Sequence, residues 1–303
     1  MIFIKKKTGI EKKKARWGFI FTIPAIIFFS VFSFYPIINA FITSFYKKDL
    51  LSLSKPKFIG LGNYKYLIHS ESFWNSVKAT TIFTVGTFIP LVIISLILAV
   101  FISSRKRFQK FFQMSYYSPA LLSSVVAATI WLLMFDPRGL ANQFLNFILN
   151  TPGKDYKWLT SSGMLRLATI IVYFWKYIGY FTVIFVTGIA SIPQSINEAA
   201  RIDGANRWQV FSRITLPLIK PTTLLVSVMA MTQCLKTFST QYLFTQSGAP
   251  LKPIDVITLN IYNTAIRDHQ IGRASAMSII LFVIIMVLTL IQFRVSKAEE
   301  VQY

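Results

Sequence analysis

Six long apolar segments limit what this chain can fold into. Each is close to the roughly 20 residues that a helix needs to cross a lipid bilayer, and the sequence is 54% hydrophobic and only 14% charged. Because a soluble domain does not carry repeated runs of this length, we predict an all-α polytopic membrane protein with about six transmembrane helices. The predicted spans are roughly 17–45, 75–103, 111–135, 165–190, 222–245 and 274–293.

Lysine and arginine residues predict the orientation of these spans, because short loops rich in them stay in the cytoplasm. We therefore predict a basic cytoplasmic N-terminus at 1–16, a transmembrane domain at 17–294 with a cytoplasmic loop at 193–221, and a cytoplasmic tail at 295–303. Lysines also follow the first span, on the predicted outer side. The topology therefore rests on the higher density of positive charge in the inner segments and not on its absence from the outer ones. The inner charges are Lys5, Lys6, Lys7, Lys12, Lys13, Lys14, Arg16, Arg105, Lys106, Arg107, Lys110, Arg201, Arg207, Arg213 and Lys220.

Two other interpretations of the basic residues are weaker. A net charge of +21 is also typical of chains that bind nucleic-acid phosphates, but the membrane topology accounts for the same charges, so we predict no nucleic-acid partner. The basic N-terminus resembles the start of a signal peptide. The apolar run behind it is too long for one and contains Pro24 and Pro36, which favours an uncleaved first span.

The loop at 193–221 contains the start and stop signals of a short helix. Ser195 and Glu198 have the S-x-x-E spacing of a capping box, which predicts a helix that begins near Ile196. Gly204 supplies the permissive backbone that ends such a helix. The loop is therefore predicted to be ordered.

A second helix is predicted from about 206 to 213 in the same loop. Pro217 and Pro221 mark the return into the membrane. Three apolar residues recur at a spacing of three, beside charged Arg207 and Arg213, and give the helix one apolar edge. These residues are Trp208, Phe211 and Ile214.

The ordered strings E-A-A, G-A and I-T-L-P in this loop resemble the cytoplasmic coupling loop of bacterial ABC importer permeases. The turn at Ser247-Gly248-Ala249-Pro250 departs from the G-G-P that this family more often has, but Gly and Pro remain and we expect the turn to form. Further strings resemble the carbohydrate branch of the family. They are Gly60-Leu61-Gly62-Asn63-Tyr64, Ile130-Trp131, Gly139-Leu140, Ile261-Tyr262 and Gly272-Arg273-Ala274-Ser275-Ala276.

This resemblance implies a multi-pass subunit of the bacterial cytoplasmic membrane that passes a sugar, expected to be an oligosaccharide, into the cell. Its implied partners are a second homologous permease, two ATP-binding subunits that hold ATP and Mg²⁺, and an extracytoplasmic solute-binding protein. The chain itself is implied to have no catalytic residue, metal or cofactor. Glycerol-phosphate importers share the same strings, so a polyol or anionic sugar stays open as cargo.

The resemblance also implies that the short helix docks in a groove of an ATPase subunit. An amphipathic helix that lies on lipid headgroups is the alternative, since Arg207 and Arg213 also favour a membrane surface. The ordered family pattern favours docking. The residues implied in coupling are Glu198, Ala199, Ala200, Asp203, Gly204, Ala205, Trp208, Phe211, Leu216 and Pro217.

Two predicted spans carry polar faces that are candidates for a substrate path. An intramembrane lysine is costly unless it meets water, substrate or another helix, and each face contains one. Tyrosines of an interfacial belt, or polar residues that hold helices together, are the structural alternative. The fourth span contributes Tyr173, Lys176, Tyr177 and Tyr180, and the fifth contributes Gln233, Lys236, Thr237, Thr240 and Gln241.

These side chains suit a sugar. Aromatic rings stack on the apolar faces of pyranoses, while hydroxyl, amide and ammonium groups bond to sugar hydroxyls. The two lysines suit an anionic sugar equally well.

Other function classes lack their signatures in this sequence. No G-x-x-x-x-G-K-[ST] motif occurs, and the single cysteine and two histidines, Cys234, His69 and His269, form no cluster with metal-ligand spacing. Asp136 and Asp155 share a predicted outer loop, but the prolines and glycines around them indicate turns and not a catalytic pair.

Membrane proteins of other classes remain as alternatives. An ion-coupled secondary transporter usually needs acidic groups at membrane depth, and the predicted spans contain none well inside them. A passive channel has no need of a capped cytoplasmic helix. Both are therefore weaker interpretations than an ATP-driven importer.

Overall fold

A computed structural model describes residues 9–51, 54–104 and 108–297 of this 303-residue chain. Some of the predicted cytoplasmic charges lie outside these ranges, as does the predicted tail from 298 onward. The charges concerned are Lys5, Lys6, Lys7, Arg105, Lys106 and Arg107.

The described chain is almost entirely helical, which confirms the predicted fold class. Its helices in chain order are α1 (Gly9–Phe29), α2 (Tyr35–Thr43), α3 (Gly62–His69), α4 (Glu71–Ser103), α5 (Gln109–Leu121), α6 (Ser124–Met134), α7 (Leu140–Leu149), α8 (Ser162–Ala190), α9 (Gln194–Ile202), α10 (Arg207–Val210), α11 (Leu216–Leu218), α12 (Lys220–Leu235), α13 (Ser239–Gln246), α14 (Ile257–Tyr262) and α15 (Ile271–Lys297). Three π-helical turns join neighbouring helices, at Ser30–Phe34, Phe211–Thr215 and Asn263–Arg267, and a 3-10 helix covers Lys252–Ile254.

Four continuous helical segments are long and apolar enough to cross a membrane: Trp17–Thr43, Glu71–Ser103, Ser162–Ala190 and Ile271–Ser296. Two more candidates are bent pairs of helices, and the chain has six spans if each pair counts as one. The pairs are Gln109–Leu121 with Ser124–Met134, bent by 95°, and Arg207–Leu218 with Lys220–Gln246, bent by 67°.

The predicted third span at 111–135 is therefore not one continuous helix. Leu122 takes an extended backbone conformation, and the hydroxyl of Ser123 accepts a hydrogen bond from the Val126 amide at 3.2 Å. This cap starts a new helix in a new direction. Local capping thus competes with helix continuation inside an otherwise apolar segment.

The described residues form two compact units, one within Met1–Leu67 and Thr264–Ile279, the other within Ile68–Asn263 and Ile280–Tyr303. In the first unit, β1 (Tyr46–Lys47) pairs antiparallel with β2 (Lys57–Phe58). Asn63 is buried and donates to the carbonyls of Ser44 at 2.7 Å and Tyr46 at 3.0 Å. The side-chain amide thus holds the strand region to α3.

The G-L-G-N-Y and G-R-A-S-A strings meet in this first unit. A Cβ atom on Gly272 would lie 3.1 Å from Asn63 Nδ2. Next to this contact the Gly272 amide donates to the Lys48 carbonyl at 3.1 Å, and the Arg273 guanidinium lies 3.5 Å from the centre of the Tyr66 ring. Two strings from distant parts of the sequence therefore form one structural junction.

The second unit has its main core between α4, α8 and α12. Leu91 of α4, Phe181 and Phe185 of α8, and Val226 of α12 are fully buried in one hydrophobic cluster. Cys234, a free thiol, is also fully buried there. A satellite cluster includes Phe135 and Trp158, whose stacked rings lie 4.8 Å apart.

Gly179 sets how closely α8 approaches α5. A Cβ atom at this position would lie 1.8 Å from the carbonyl oxygen of Tyr116. Only a residue without a side chain permits this contact between helix backbones, as small residues do in membrane bundles. The contact fixes the position of Tyr117 beside the tyrosine face of α8.

Candidate functional site

The polar faces predicted in the fourth and fifth spans meet in one cavity of about 480 Å³. Its walls come from the α5–α6 break, the middle of α8 and the α12–α13 break, all within the second unit. Every predicted path residue except Gln241 lines it. The lining residues are Tyr117, Ala120, Ser124, Val172, Tyr173, Lys176, Tyr177, Tyr180, Gln233, Lys236, Thr237, Phe238, Ser239 and Thr240.

Lys176 is the most constrained polar group of this cavity. Its side chain is 6% exposed, and its Nζ donates to Ser124 Oγ at 2.7 Å and lies 5.3 Å from the centre of the Tyr177 ring. Ser124 is the first residue of α6, so the break in the third span is what brings it to the lysine. An uninterrupted helix would place it elsewhere.

Tyrosine rings form one wall of the cavity. Tyr173 and Tyr177 lie 4.5 Å apart between ring centres on α8. Tyr180 stacks with Tyr117 of α5 at 6.4 Å and 28°. The i, i+3, i+4, i+7 pattern predicted for α8 is thus one continuous wall, extended by a residue from another helix.

The predicted stripe on the fifth span is wrong in one respect, because it assumed an unbroken helix. α12 ends at Leu235, and α13 begins only at Ser239. Phe238 leaves the helical conformation (φ −147°, ψ −53°) and stacks on Tyr242 at 5.2 Å and 17°. The Thr258 hydroxyl donates to the Thr237 carbonyl, which replaces an intrahelical hydrogen bond.

Gln241 lies outside the cavity, contrary to its place in the predicted path. Its side chain is fully buried, and its Oε1 accepts from Thr237 Oγ1 at 3.1 Å. The break turns α13 so that Thr240 lines the cavity and Gln241 packs into the protein. Gln241 therefore supports Thr237 from behind.

Three polar lining residues were absent from the predicted path, namely Tyr117, Ser124 and Ser239. Tyr117 and Ser124 lie on either side of the α5–α6 break, and Ser239 follows the α12–α13 break. Tyr117 and Ser124 belong to the third span, for which no polar face was predicted, and Ser239 lies beyond a break in the helical period of the fifth. The Ser123 and Ser124 pair inside an apolar run was the one available signal.

The coupling loop predicted at 193–221 begins with α9. This helix starts at Gln194, directly after Pro193, so Ser195 is already inside its first turn and the predicted Ser195–Glu198 capping box is wrong. Glu198 instead accepts from Gln194 Nε2 at 2.6 Å. The helix therefore starts two residues before the predicted start at Ile196.

Gly204 ends α9 as predicted. Its φ is +79°, a conformation that other L-residues rarely adopt, and the Ala205 amide donates to the Ala200 carbonyl at 2.9 Å. This is the six-to-one hydrogen bond of a Schellman turn. A Cβ atom on Gly204 would meet nothing within 4 Å, so backbone conformation and not space requires glycine.

The second helical segment of the loop is capped by a motif that the prediction missed. Asn206 Oδ1 accepts from the Gln209 amide at 2.9 Å, and Gln209 Oε1 accepts from the Asn206 amide at 2.8 Å. This is a complete capping box, and N-x-x-Q in the sequence was its signal. The segment extends past the predicted end at 213, through a π-helical turn, to Leu218.

The loop presents an exposed face with two large apolar side chains. Ile202 is 86% exposed and Trp208 is 71% exposed, although the Trp208 ring lies 5.6 Å from that of Phe211. Ala200 is buried. The remaining predicted coupling residues are exposed at Glu198, Ala199, Asp203, Gly204 and Leu216, and partly buried at Ala205, Phe211 and Pro217.

The aspartates and histidines that were considered for catalysis or metal binding take part in local structure. Asp136 Oδ1 accepts from the Arg138 amide at 3.0 Å, and Asp155 Oδ1 accepts from the Lys157 amide at 2.9 Å, so each stabilises a turn. His69 is the last residue of α3, which lies between two candidate spans. Within the described ranges, no three His, Cys, Asp or Glu residues are grouped to hold a metal ion.

Asp255 is a buried carboxylate that the sequence did not single out. It follows the 3-10 helix, is 5% exposed, and its Oδ2 accepts from Asn260 Nδ2 at 2.9 Å. Burial raises the pKa of Asp255 to about 6, although the hydrogen bond from Asn260 opposes this rise. Its position between predicted spans gave no sign that tertiary packing would bury it.

The chain is similar in sequence to several transport proteins. The family profile described as "Binding-protein-dependent transport system inner membrane component" matches residues 19–300. The chain is 30% identical over 290 residues to a probable starch degradation products transport system permease protein of Thermoanaerobacterium thermosulfurigenes, which covers 96% of this chain and 97% of that one. It is 34% identical to the sn-glycerol-3-phosphate transport system permease protein of Agrobacterium fabrum, over 89% of this chain and 91% of that one.

A solved structure agrees with these relatives. A chain of a bacterial ABC transporter involved in the import of the acidic polysaccharide alginate superimposes with a TM-score of 0.81 at 26% identity, over 95% of this chain and 98% of that one. The profile and the sequence relatives each cover most of the chain. This chain belongs to the family of binding-protein-dependent transport system inner membrane components, the multi-pass permease subunits of ABC transporters.

Proposed function

We propose that this chain is one of two permease subunits in an ATP-driven importer that carries a sugar into a bacterial cell. The observation that carries the proposal is that both walls of the cavity continue into the coupling loop. α8 lines the cavity up to Tyr180 and runs on to Ala190, a distance of roughly 15 Å at 1.5 Å per residue. α12 leaves the loop after the bend and contributes Gln233 at its far end.

This continuity suits a transporter whose path is opened and closed from the cytoplasm. A displacement of the loop is transmitted along two rigid helices to the groups that line the cavity. A passive channel needs no such connection. An ion-coupled transporter is disfavoured because the described residues that line the cavity include no carboxylate.

The proposed cargo is an oligosaccharide. Tyrosine rings and side-chain hydroxyl and amide groups line the cavity, and this combination binds sugars through ring stacking and hydrogen bonds. The names of the relatives, which include starch fragments and glycerol phosphate, support carbohydrates and related polyols as a class. A glycerol-phosphate or other polyol importer is the second candidate, favoured by the two lysines.

The proposed partners complete the machine. A second, homologous permease forms the other half of the path, and two ATP-binding subunits hold ATP and Mg²⁺, so this chain has no catalytic role. An extracytoplasmic solute-binding protein delivers the sugar. Both termini and the coupling loop face the cytoplasm, since this orientation follows the distribution of lysine and arginine.

We assign ATPase docking to the exposed face of the loop. Ile202 and Trp208 are large apolar side chains that the rest of the described chain leaves uncovered, and such residues act as anchors in interfaces. Glu198 and Asp203 lie exposed near them. The alternative, contact with lipid headgroups, predicts that replacing the apolar anchors leaves ATPase association unchanged.

The first test is purification of the tagged chain from native membranes, followed by mass spectrometry of the proteins that stay bound. A second permease and a P-loop ATPase are expected. Recovery of a stable chain without an ATPase, which still moves solute in liposomes, would refute the proposal and favour a channel or a secondary transporter.

Point variants then test the docking face. Ile202→Ala and Trp208→Ala are expected to lower recovery of the ATPase by about tenfold, since truncated anchors commonly cost more than about 1 kcal/mol. Phe147→Ala is the matched control, because Phe147 of α7 is also 86% exposed but lies outside the loop. Equal losses in all three variants would indicate a nonspecific effect.

A further inference from the structure

The electrostatic character of the cavity narrows the class of sugar that it suits. Two cations, Lys176 and Lys236, line it, while the described lining residues include no Asp or Glu. Lys176 is 6% exposed and donates a hydrogen bond to Ser124 Oγ, which is uncharged. A buried ammonium group whose partners are neutral retains an unmet need for negative charge.

Lys176 is also held ready for a ligand. The bond to Ser124 at 2.7 Å uses one of its three N–H donors, and the Tyr177 ring at 5.3 Å from Nζ supports the cation on one side. Ser124 is fixed at the start of α6 by the sharp break in the third span. The ammonium group therefore keeps a defined position with donors to spare.

The break between α12 and α13 adds a further source of positive potential, the start of a helix. α13 begins at Ser239, beside Lys236, and the residue before it, Phe238, provides no side-chain cap. The first amide groups of a helix carry a partial positive charge, and broken membrane helices use such ends to bind anionic groups of substrates. Ser239 and Thr240 at this helix start both line the cavity.

We propose that the cavity selects an anionic sugar, one that carries a carboxylate or phosphate group, and holds the negative group towards Lys176, Lys236 and the start of α13. Tyr177 and Tyr180 contact the sugar ring in this arrangement. This inference rests on the proposed function. It goes further in naming negative charge as the property that separates the substrate from neutral oligosaccharides.

The first test measures binding to the purified complex of both permeases and the ATPase subunits, without the solute-binding protein, whose own selectivity would mask that of the cavity. The probes are trigalacturonate, the matched neutral galactotriose, and galactose 1-phosphate. Trigalacturonate or galactose 1-phosphate is expected to bind at least tenfold more tightly than galactotriose, and the binding of the anion is expected to weaken as salt is raised. Preference for one anion identifies the carboxylate or the phosphate as the group that is recognised.

Variants then locate the selectivity. Lys176→Met and Lys236→Met are each expected to weaken binding of the anion about tenfold and to leave binding of galactotriose within about twofold, since a charge and little volume is lost. Lys176→Arg keeps the charge and is expected to retain most of the preference. Lys252→Met is the control, because Lys252 pairs with Glu71 at 3.2 Å outside this cavity.

Three results would overturn the inference. Tighter binding of galactotriose than of both anions, or an anion preference that survives both methionine variants, removes the cavity as an anion site while sugar import still stands. Equal loss of neutral and anionic ligands in the methionine variants makes the lysines structural. Failure of the complex to bind or transport any sugar with its binding protein present refutes the proposed function itself.

Discussion

The coupling loop and the cavity both depend on interruptions of helices, but different parts of the chain stabilise them. In the loop, the turn at Gly204 and the capping box at Asn206 use hydrogen bonds between residues at most five positions apart. In the cavity, Thr258 bonds to Thr237 across 21 residues and Lys176 bonds to Ser124 across 52. The loop is therefore encoded locally, whereas the cavity exists only when the bundle has assembled.

Gly179→Ala is expected to have the largest effect on the cavity side of this comparison. Its methyl group would lie 1.8 Å from the Tyr116 carbonyl oxygen, so α5 and α8 must separate, at a cost of about 3 kcal/mol. We expect lower thermal stability in detergent and loss of uptake. Gly163→Ala in the same helix meets nothing within 4 Å and should be neutral or slightly stabilising; similar losses in both variants would contradict the close-contact argument.

Asp255→Asn tests a second long-range feature through its pH dependence. The pKa of Asp255 rises from 3.8 to about 6 on folding, so the folded state favours the proton, and the free energy of unfolding falls as pH rises from about 4 to about 6. The asparagine variant should be more stable than the wild type at pH 7.5, by at most about 3 kcal/mol at 1.36 kcal/mol per pKa unit. Thermal unfolding between pH 4 and 8 measures this, with Glu71→Gln as the exposed control; parallel pH profiles of wild type and D255N would contradict the burial argument.

Thr258→Val removes the hydroxyl that bonds to the Thr237 carbonyl at the α12–α13 break. A buried carbonyl without a partner costs about 2 kcal/mol, and we expect reduced stability together with weaker ligand binding. Thr258→Ser keeps the hydroxyl and should behave like the wild type. If Thr258→Ser lowers stability and Thr258→Val does not, packing of the methyl group and not this hydrogen bond fixes the break.

Gly204→Val tests the local side of the comparison. A β-branched residue at φ +79° is strained by about 1–2 kcal/mol, so the turn should reorganise and both uptake and ATPase recovery should fall. Gly204→Asn is the matched control, because asparagine tolerates this conformation and the space is open. Ligand binding in the cavity should be unchanged in either variant, and a large change there would break the distinction between the two regions.

Asn206→Ala is expected to have the smallest effect. Loss of the capping box should cost about 1 kcal/mol and lower ATPase recovery a few-fold, without changing the cavity. Asn206→Ser retains a capping oxygen and should recover most of the loss. Hydrogen exchange at the amides of 207–210 reports on the cap directly, and unchanged protection in N206A would show that the cap is not what holds this helix.

The same distinction explains how much of the molecule could be predicted from its sequence. Four of the six predicted spans and the turn at Gly204 are encoded by local composition and single-residue preferences, and the structure has them. The third and fifth predicted spans are bent pairs of helices. The capping box was assigned to Ser195 because its spacing fits, yet Pro193 starts the helix earlier. The break at 236–238 contains no glycine or proline, and contacts with Thr258 and Tyr262 establish it, so no local signal was present.

The cavity residues show most clearly which features could not be predicted from the sequence. Tyr173, Lys176, Tyr177 and Tyr180 were found because α8 keeps its period throughout. Gln241 was predicted to share the polar face of the fifth span, but the break rotates α13 and Gln241 lies outside the cavity. Asp255 was not found at all, since its burial depends on packing between α4, the 3-10 helix and α14.

The full burial of Cys234 has a practical consequence for observing this machine at work. Since the one thiol of the native chain is inaccessible, cysteines introduced at exposed positions can be labelled selectively in the otherwise unmodified protein. A fluorophore pair at Ser195 and Phe147, both exposed, would report distance changes during the ATP cycle. The native sequence thus already provides a nearly silent background for single-molecule spectroscopy.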